Sequence, residues 1–159
     1  MEERIMRRVA DSAVIQTQLV LNSHLNGAGR LFGGQLMEWI DVVATVVARR
    51  HAHCNPTTAS VDNLQFKEAV HLNNTLIIEG KLTYVGRTSM EVEIDTYVEQ
   101  PDGMRRTVNR AFFVMVAVDE NQKPIQVPEL IITTEAEKAR NEAAKMRRDM
   151  RKKRRENGF

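Results

Sequence analysis

With 159 residues, 42% hydrophobic and 28% charged, the chain has the make-up of one ordinary globular domain, which excludes a disordered or fibrous protein. Charges interrupt each apolar run before the ~20 residues a membrane span requires. The single cysteine, Cys54, excludes an intrachain disulfide framework or a cysteine metal cluster. The net charge of +2 divides unevenly. Residues 1–132 hold 13 basic and 16 acidic side chains, a net −3, whereas residues 133–159 hold 10 and 5, a net +5. The sequence thus separates a mildly acidic domain, 1–132, from a basic tail, 133–159. Its first ten residues, MEERIMRRVA, carry no apolar run of the kind a secretion leader has, so a cytoplasmic location is expected.

Residues 13–21 (AVIQTQLVL) are rich in β-branched and apolar types and predict a first strand. A loop over 22–32 carries Asn26, Gly27 and Gly29. From Leu36 to Ala48 apolar residues surround the axis, predicting a long buried helix from about Gly33 to Arg50. Arg49, Arg50 and His51 suit its negative C-terminal end, and Asn55-Pro56 stops it. Thr58–Phe66 and Leu76–Tyr84 predict two more strands. After the Gly86-Arg87 turn, Ser89–Glu99 alternates, with Met90, Val92, Ile94 and Val98 against Glu91, Glu93, Asp95 and Glu99. That pattern predicts an antiparallel strand buried on one face. Pro101-Asp102-Gly103 makes another turn, and Thr107–Val118 predicts an apolar strand near the sheet centre. The order implies an α+β fold, an antiparallel β-sheet wrapped around one long central helix. One such sheet leaves part of the helix uncovered, so self-association as at least a dimer is expected. From Thr134, a capping-box start (Thr134-x-x-Glu137) leads into a helical tail with a thin stripe of Ala and Met.

The stretch Asn22–Ala48 carries the chemistry. The start of a buried helix offers unpaired N–H groups that can polarise a carbonyl or hold an anion. Asp41 lies about two turns further in, at ~1.5 Å per residue. Carbonyl-polarising donors near a carboxylate suit acyl transfer. Simpler readings stand beside this one. Glu38, Asp41 and Thr45 share one side of the helix, as a solvated stripe does, and Asn-Gly pairs such as Asn26-Gly27 commonly make turns. His24 reads as a loop histidine and Cys54 as a small packing residue.

The run Asn26–Asp41 (NGAGRLFGGQLMEWID) resembles the signature of the hotdog-fold acyl-CoA thioesterases, the acyl-CoA hydrolase family. Val61–Phe66 (VDNLQF) and Val85–Val92 (VGRTSMEV) resemble its following strand and hairpin. The resemblance covers roughly residues 10–130 and implies hydrolysis of acyl-CoA to a carboxylic acid and free coenzyme A. It implies a hotdog fold, with sheets paired side by side in a dimer, often assembled to a hexamer, and an active site at the dimer interface. Asn26 matches the catalytic asparagine of one subunit and Asp41 the catalytic carboxylate of the other. The backbone of Gly33 and Gly34 matches the thioester-carbonyl site. Gly86, Arg87, Thr88 and Ser89, in themselves a hairpin turn, match a coenzyme A-binding turn. Asp41 would activate water as a general base or attack the thioester to form an anhydride. The acyl chain is expected to run past Trp39 and Val42. No metal or organic cofactor is expected, coenzyme A being part of substrate and product. Ala69 stands where the family commonly has proline, and Asn73-Asn74 where it has Gly-Asp. Both departures bear on loop shape.

Two other functions compete. A hotdog hydratase or dehydratase pairs His with an acid, and here the helix offers no His before His51. Nucleic-acid binding would use the tail's RRDMRKKRR cluster. The acidic body, the 5% aromatic content and the lack of a reader motif argue against that, and no membrane partner is expected.

Overall fold

The computed structural model describes residues 3–159. The elements run β1 (Met6–Arg8), α1 (Val9–Ser12), β2 (Val14–Leu19), a 3-10 turn (Asn22–His24), α2 (Gly33–Ala52), β3 (Pro56–Asp62), β4 (Thr75–Val85), β5 (Ser89–Glu99), β6 (Arg105–Ala117), β7 (Glu129–Ile131) and α3 (Glu135–Glu156). Strands β2-β4-β5-β6-β3 form one sheet in that order, every neighbouring pair antiparallel. The sheet wraps around α2, which gives the α+β hotdog architecture. Strands β1 and β7 form a separate parallel pair; at three residues each they are too short to leave a periodic trace in the sequence.

Helix α2 presents Leu36, Ile40, Val43, Ala44, Val47 and Ala48 to the sheet. Opposite them stand Leu76, Ile78 and Leu82 of β4, Met90, Val92 and Ile94 of β5, and Phe113 and Met115 of β6. At Gly80 of β4 an added Cβ would lie 2.7 Å from Val43 Cγ1 and 3.1 Å from Val47 Cγ2. Only glycine lets the helix approach this closely. The helix is nevertheless not buried all round, as its apolar circumference predicts. Met37 and Val42 are 44% and 48% exposed, leaving an open apolar side.

The ends of one strand and of the central helix differ from expectation. Strand β3 ends at Asp62 rather than Phe66, because Asn63 takes a left-handed conformation at φ 58°. That geometry, tolerated by Asn, breaks the extended chain. Helix α2 continues to Ala52 and closes on His53, also left-handed at φ 53°.

The larger difference concerns β5 and the tail. Glu91, Glu93 and Asp95 are all buried, so the strand is covered on both faces rather than one. Helix α3, lying across the outer face of the sheet, covers Glu91 and Glu93, and Arg110 of β6 pairs with Asp95 at 2.6 Å. Asn141 Nδ2 donates to the Thr83 carbonyl at 2.8 Å. Arg147 grips both Glu91 oxygens at 2.7 and 3.2 Å, and Arg140 approaches Glu93 at 3.2 Å. Thr134 caps the helix, accepting from Glu137 N–H at 3.1 Å. The return bond of the expected capping box shifts by one residue, with Glu137 accepting from Thr133 N–H at 2.8 Å. Ion pairs between buried carboxylates and arginines therefore hold a helix whose apolar stripe is too thin to hold it alone.

Candidate active site

The Asn26 loop is fixed by its own side chain. Oδ1 of Asn26 accepts from Ala28 N–H at 2.9 Å and from Arg30 N–H at 3.2 Å. The backbone closes around it, Gly29 N–H donating to the Asn26 carbonyl at 3.1 Å with Gly29 at φ 73°. With Oδ1 occupied, the amide turns its NH₂ outward as a donor, and Nδ2 meets no acceptor among the described residues. The turn reading and the functional one are thus compatible: the turn is what aims the amide.

Helix α2 begins without a side-chain cap at Phe32. Its first intrahelical bonds run from Gln35 and Leu36 N–H to the Phe32 carbonyl, at 3.0 and 3.2 Å. Among the described residues the N–H groups of Gly33 and Gly34 find no acceptor, so they stand free at the positive end of a 20-residue helix. The Phe32 ring folds over Gly34, where an added Cβ would lie 2.6 Å from Cε1.

Asp41 is half-buried and accepts from the Thr58 hydroxyl at 2.8 Å. Thr58 sits beside the β-bulge at Ala59, where the β3–β6 register shifts; bulges of this kind re-aim a side chain. Thr58 is the residue that sequence reasoning missed. Nothing separates it from other strand threonines except the bulge, and the bulge has no motif.

The candidate residues divide between two hollows at the start of α2. Asn26 and Gly33 line one of about 430 Å³, together with Leu36, Phe66 and Val108. Asp41 and Gly34 line another of about 300 Å³, together with Met37, Glu38, Leu64 and Phe113. Trp39, expected along the acyl path, is instead buried with its ring edge-on to His24 at 4.8 Å, and neither it nor Val42 lines the Asp41 hollow. Gly86, Arg87, Thr88 and Ser89 line neither hollow. They form the β4–β5 turn, closed by Gly86 N–H to the Ser89 carbonyl at 2.8 Å, with the Arg87 carbonyl accepting from Val127 N–H at 2.9 Å. Cys54 is a half-buried free thiol packed against the core. His51 is buried beside Pro128, far along α2.

Among the described residues no cluster of three or more His, Cys, Asp or Glu side chains could hold a metal, and no helix is long and apolar enough to cross a membrane.

The thioesterase superfamily model matches residues 28–104. Over 155 residues the chain is 34% identical to the uncharacterized acyl-CoA thioester hydrolase YkhA of Bacillus subtilis, covering 97% of this chain and 90% of that one. The chain belongs to the acyl-CoA thioester hydrolases. Among solved structures, a hexameric acyl-CoA thioesterase in its apo form superposes with a TM-score of 0.90 at 40% identity, covering 94% of this chain and 97% of that one. An acyl-CoA hydrolase from Staphylococcus aureus in complex with coenzyme A superposes with a TM-score of 0.92 at 27% identity, covering 98% and 94%. Structures of that hydrolase include variants with an asparagine, an aspartate or a threonine replaced by alanine.

Proposed function

We propose that this acyl-CoA thioester hydrolase works at a site shared between two copies of the chain, Asn26 from one and Asp41 from the other. The observation that carries this reading is the division of labour between the two hollows. Within one chain Asn26 and Asp41 line different cavities on either side of the Gly33-Gly34 helix start. Each is half a site.

Several features support closure by a second copy. Strand β3 is an edge of the sheet, with an unpaired row of N–H and C=O groups beside the Thr58–Asp41 bond. Phe32, Met37, Val42, Val61 and Phe66 are exposed around it, a run of apolar surface that marks an interaction face. Burying it would dry the carboxylate and strengthen each polar interaction there.

In the chemistry, the free N–H groups at Gly33 and Gly34 hold the thioester oxygen as it gains charge. The Asn26 amide donates to that oxygen or to the attacking water. Asp41, oriented by Thr58, takes the proton of that water or adds to the carbonyl itself. Either adduct collapses by breaking the C–S bond, and coenzyme A leaves as thiolate and takes up a proton. By the second route water then hydrolyses the anhydride to free Asp41. The acyl chain lies against Met37, Leu64 and Phe113. Gly86, Arg87, Thr88 and Ser89 serve the coenzyme A moiety, and no metal or organic cofactor enters. Assembly of dimers into a hexamer and a cytoplasmic location belong to the same reading, whereas nucleic acid has no part in it.

Complementation tests the shared site. Asn26→Ala and Asp41→Asn each remove one half, and randomly reassorted dimers would recover about a quarter of the wild-type sites. Mixing the two inactive variants under conditions that exchange subunits should restore that activity, read as thiol release from an acyl-CoA panel. No recovery despite demonstrated exchange would place both residues in one chain's site.

A further inference from the structure

Residues 63–67 form neither strand nor helix, yet they wall both hollows at the start of α2. Leu64 lines the Asp41 hollow, whereas Phe66 and Lys67 line the Asn26 hollow. The left-handed turn at Asn63, φ 58°, takes this stretch off the β3–β6 ladder. Among the described residues, two hydrogen bonds to β6 hold it instead. Lys67 N–H donates to the Val108 carbonyl at 2.9 Å, and Asn109 Nδ2 donates to the Gln65 carbonyl at 2.6 Å.

Asparagine is an unexpected residue at position 109. It is fully buried and sits beside a bulge, for Thr96 pairs with Asn109 and Tyr97 with Thr107, which leaves Val108 as the extra residue of β6. Bulges re-aim side chains and recur beside active sites. Asn109 Oδ1 and the hydroxyl of Thr96 opposite it meet no partner among the described residues. A buried amide with an unpaired oxygen is less stable there than an apolar side chain of the same shape. Core packing therefore does not account for it. What the amide alone supplies is a donor for the Gln65 carbonyl, which lies between Leu64 in one hollow and Phe66 in the other. Fixing that carbonyl fixes how far the neighbouring side chains reach into their hollows.

We propose that Asn109 is a positioning residue for acyl-chain selectivity, acting through the Gln65 carbonyl on Leu64. Asn109 itself lines neither hollow, so it touches no substrate and works only through the wall it holds. The inference rests on the proposed placement of the acyl chain against Met37, Leu64 and Phe113. A wall held at a fixed depth rejects acyl groups too large for the hollow, and a loosened wall admits them.

The test is kcat/KM of the full-length enzyme along a series from acetyl-CoA to palmitoyl-CoA. It compares the wild type with Leu64→Ala, Asn109→Leu, their double variant and Thr96→Val. Asn109→Leu keeps the volume and lacks the donor, and Asn109→Ala repeats the loss with a smaller side chain. Leu64→Ala should raise the ratio of long-chain to short-chain kcat/KM by about 10-fold. Each Asn109 variant should move the ratio the same way by about 3-fold or more, through KM rather than kcat. The double variant should go no further than Leu64→Ala, because the two residues act on one wall. Thr96→Val removes the neighbouring buried hydroxyl and should leave the ratio unchanged. If Leu64→Ala shifts the ratio and the Asn109 variants do not, or if the two effects multiply, the proposal falls while the acyl placement stands. An equal shift in Thr96→Val overturns it as a general loosening of the core. If neither Asn109 variant folds, Asn109 serves the fold and the proposal is overturned. If Leu64→Ala shifts nothing, the acyl placement itself fails and takes this inference with it.

Discussion

The Thr58 hydroxyl meets Asp41 Oδ1 at 2.8 Å, joining two residues 17 positions apart in the chain. One lies on the central helix and the other beside the bulge of an edge strand. The bond occupies one lone pair of the carboxylate and leaves the rest for water or substrate. Thr58→Val should therefore lower kcat by about 10-fold through lost orientation, with KM changed much less. Thr58→Ser, which keeps the hydroxyl, should restore most of it. Steady-state kinetics on the three forms decide the matter.

Asp41→Asn is nearly isosteric and keeps an oxygen that can accept from Thr58. It removes the proposed base or nucleophile, so turnover should fall by about a hundred- to ten-thousand-fold. Elution volume and circular dichroism should stay those of the wild type. Turnover within a few-fold of wild type would remove Asp41 from the mechanism.

Buried ion pairs on the outer face of the sheet predict a strong asymmetry between breaking one and replacing it. Arg147 holds Glu91 with two bonds and lays its guanidinium 3.6 Å from the centre of the Phe112 ring. Arg147→Ala would leave the buried carboxylate with Arg151 as its remaining counter-charge, at a cost of about 1–3 kcal/mol for the lost bonds, whereas Arg147→Met with Glu91→Leu should cost less. Urea unfolding of both variants, compared at equal m-value, measures the difference.

At Gly80 the close approach of α2 leaves no room for a methyl group. Two of the three atoms it would meet belong to stiff valine side chains. Gly80→Ala should destabilise by about 1–3 kcal/mol through overpacking. A thermal midpoint equal to that of the wild type would show that the helix can retreat without cost.

His51 supplies a pH dependence. Burial lowers its pKa from 6.5; the bond to the Pro128 carbonyl opposes this, and the charges of Arg7 and Arg4 add to it. The folded protein thus keeps the imidazole neutral where the unfolded chain takes up a proton. Stability from this group is full above about 6.5 and is lost as pH falls below that value. The loss in thermal midpoint between pH 7.5 and 5.5 should be smaller in His51→Gln than in the wild type. An identical loss in both would show that His51 does not contribute.

Local pattern carried much of this protein. The alternation of Ser89–Glu99, the apolar run of Leu36–Ala48 and the glycines before it are properties of neighbouring residues, and they determined the central helix, the strands and the antiparallel sheet. The run from Asn26 to Asp41 likewise determined which residues to consider for chemistry, through its family resemblance. Tertiary structure decided the rest. Glu91, Glu93 and Asp95 have the pattern of a solvated face, yet they lie buried: α3 arginines about fifty residues later fold over Glu91 and Glu93, and Arg110 of the next strand pairs with Asp95; such pairing leaves no period in a chain. Thr58 became part of the site only through a bulge, which is set by register between strands. The separation of Asn26 from Asp41 also appears only in space, because one helix start turns its two sides toward different hollows.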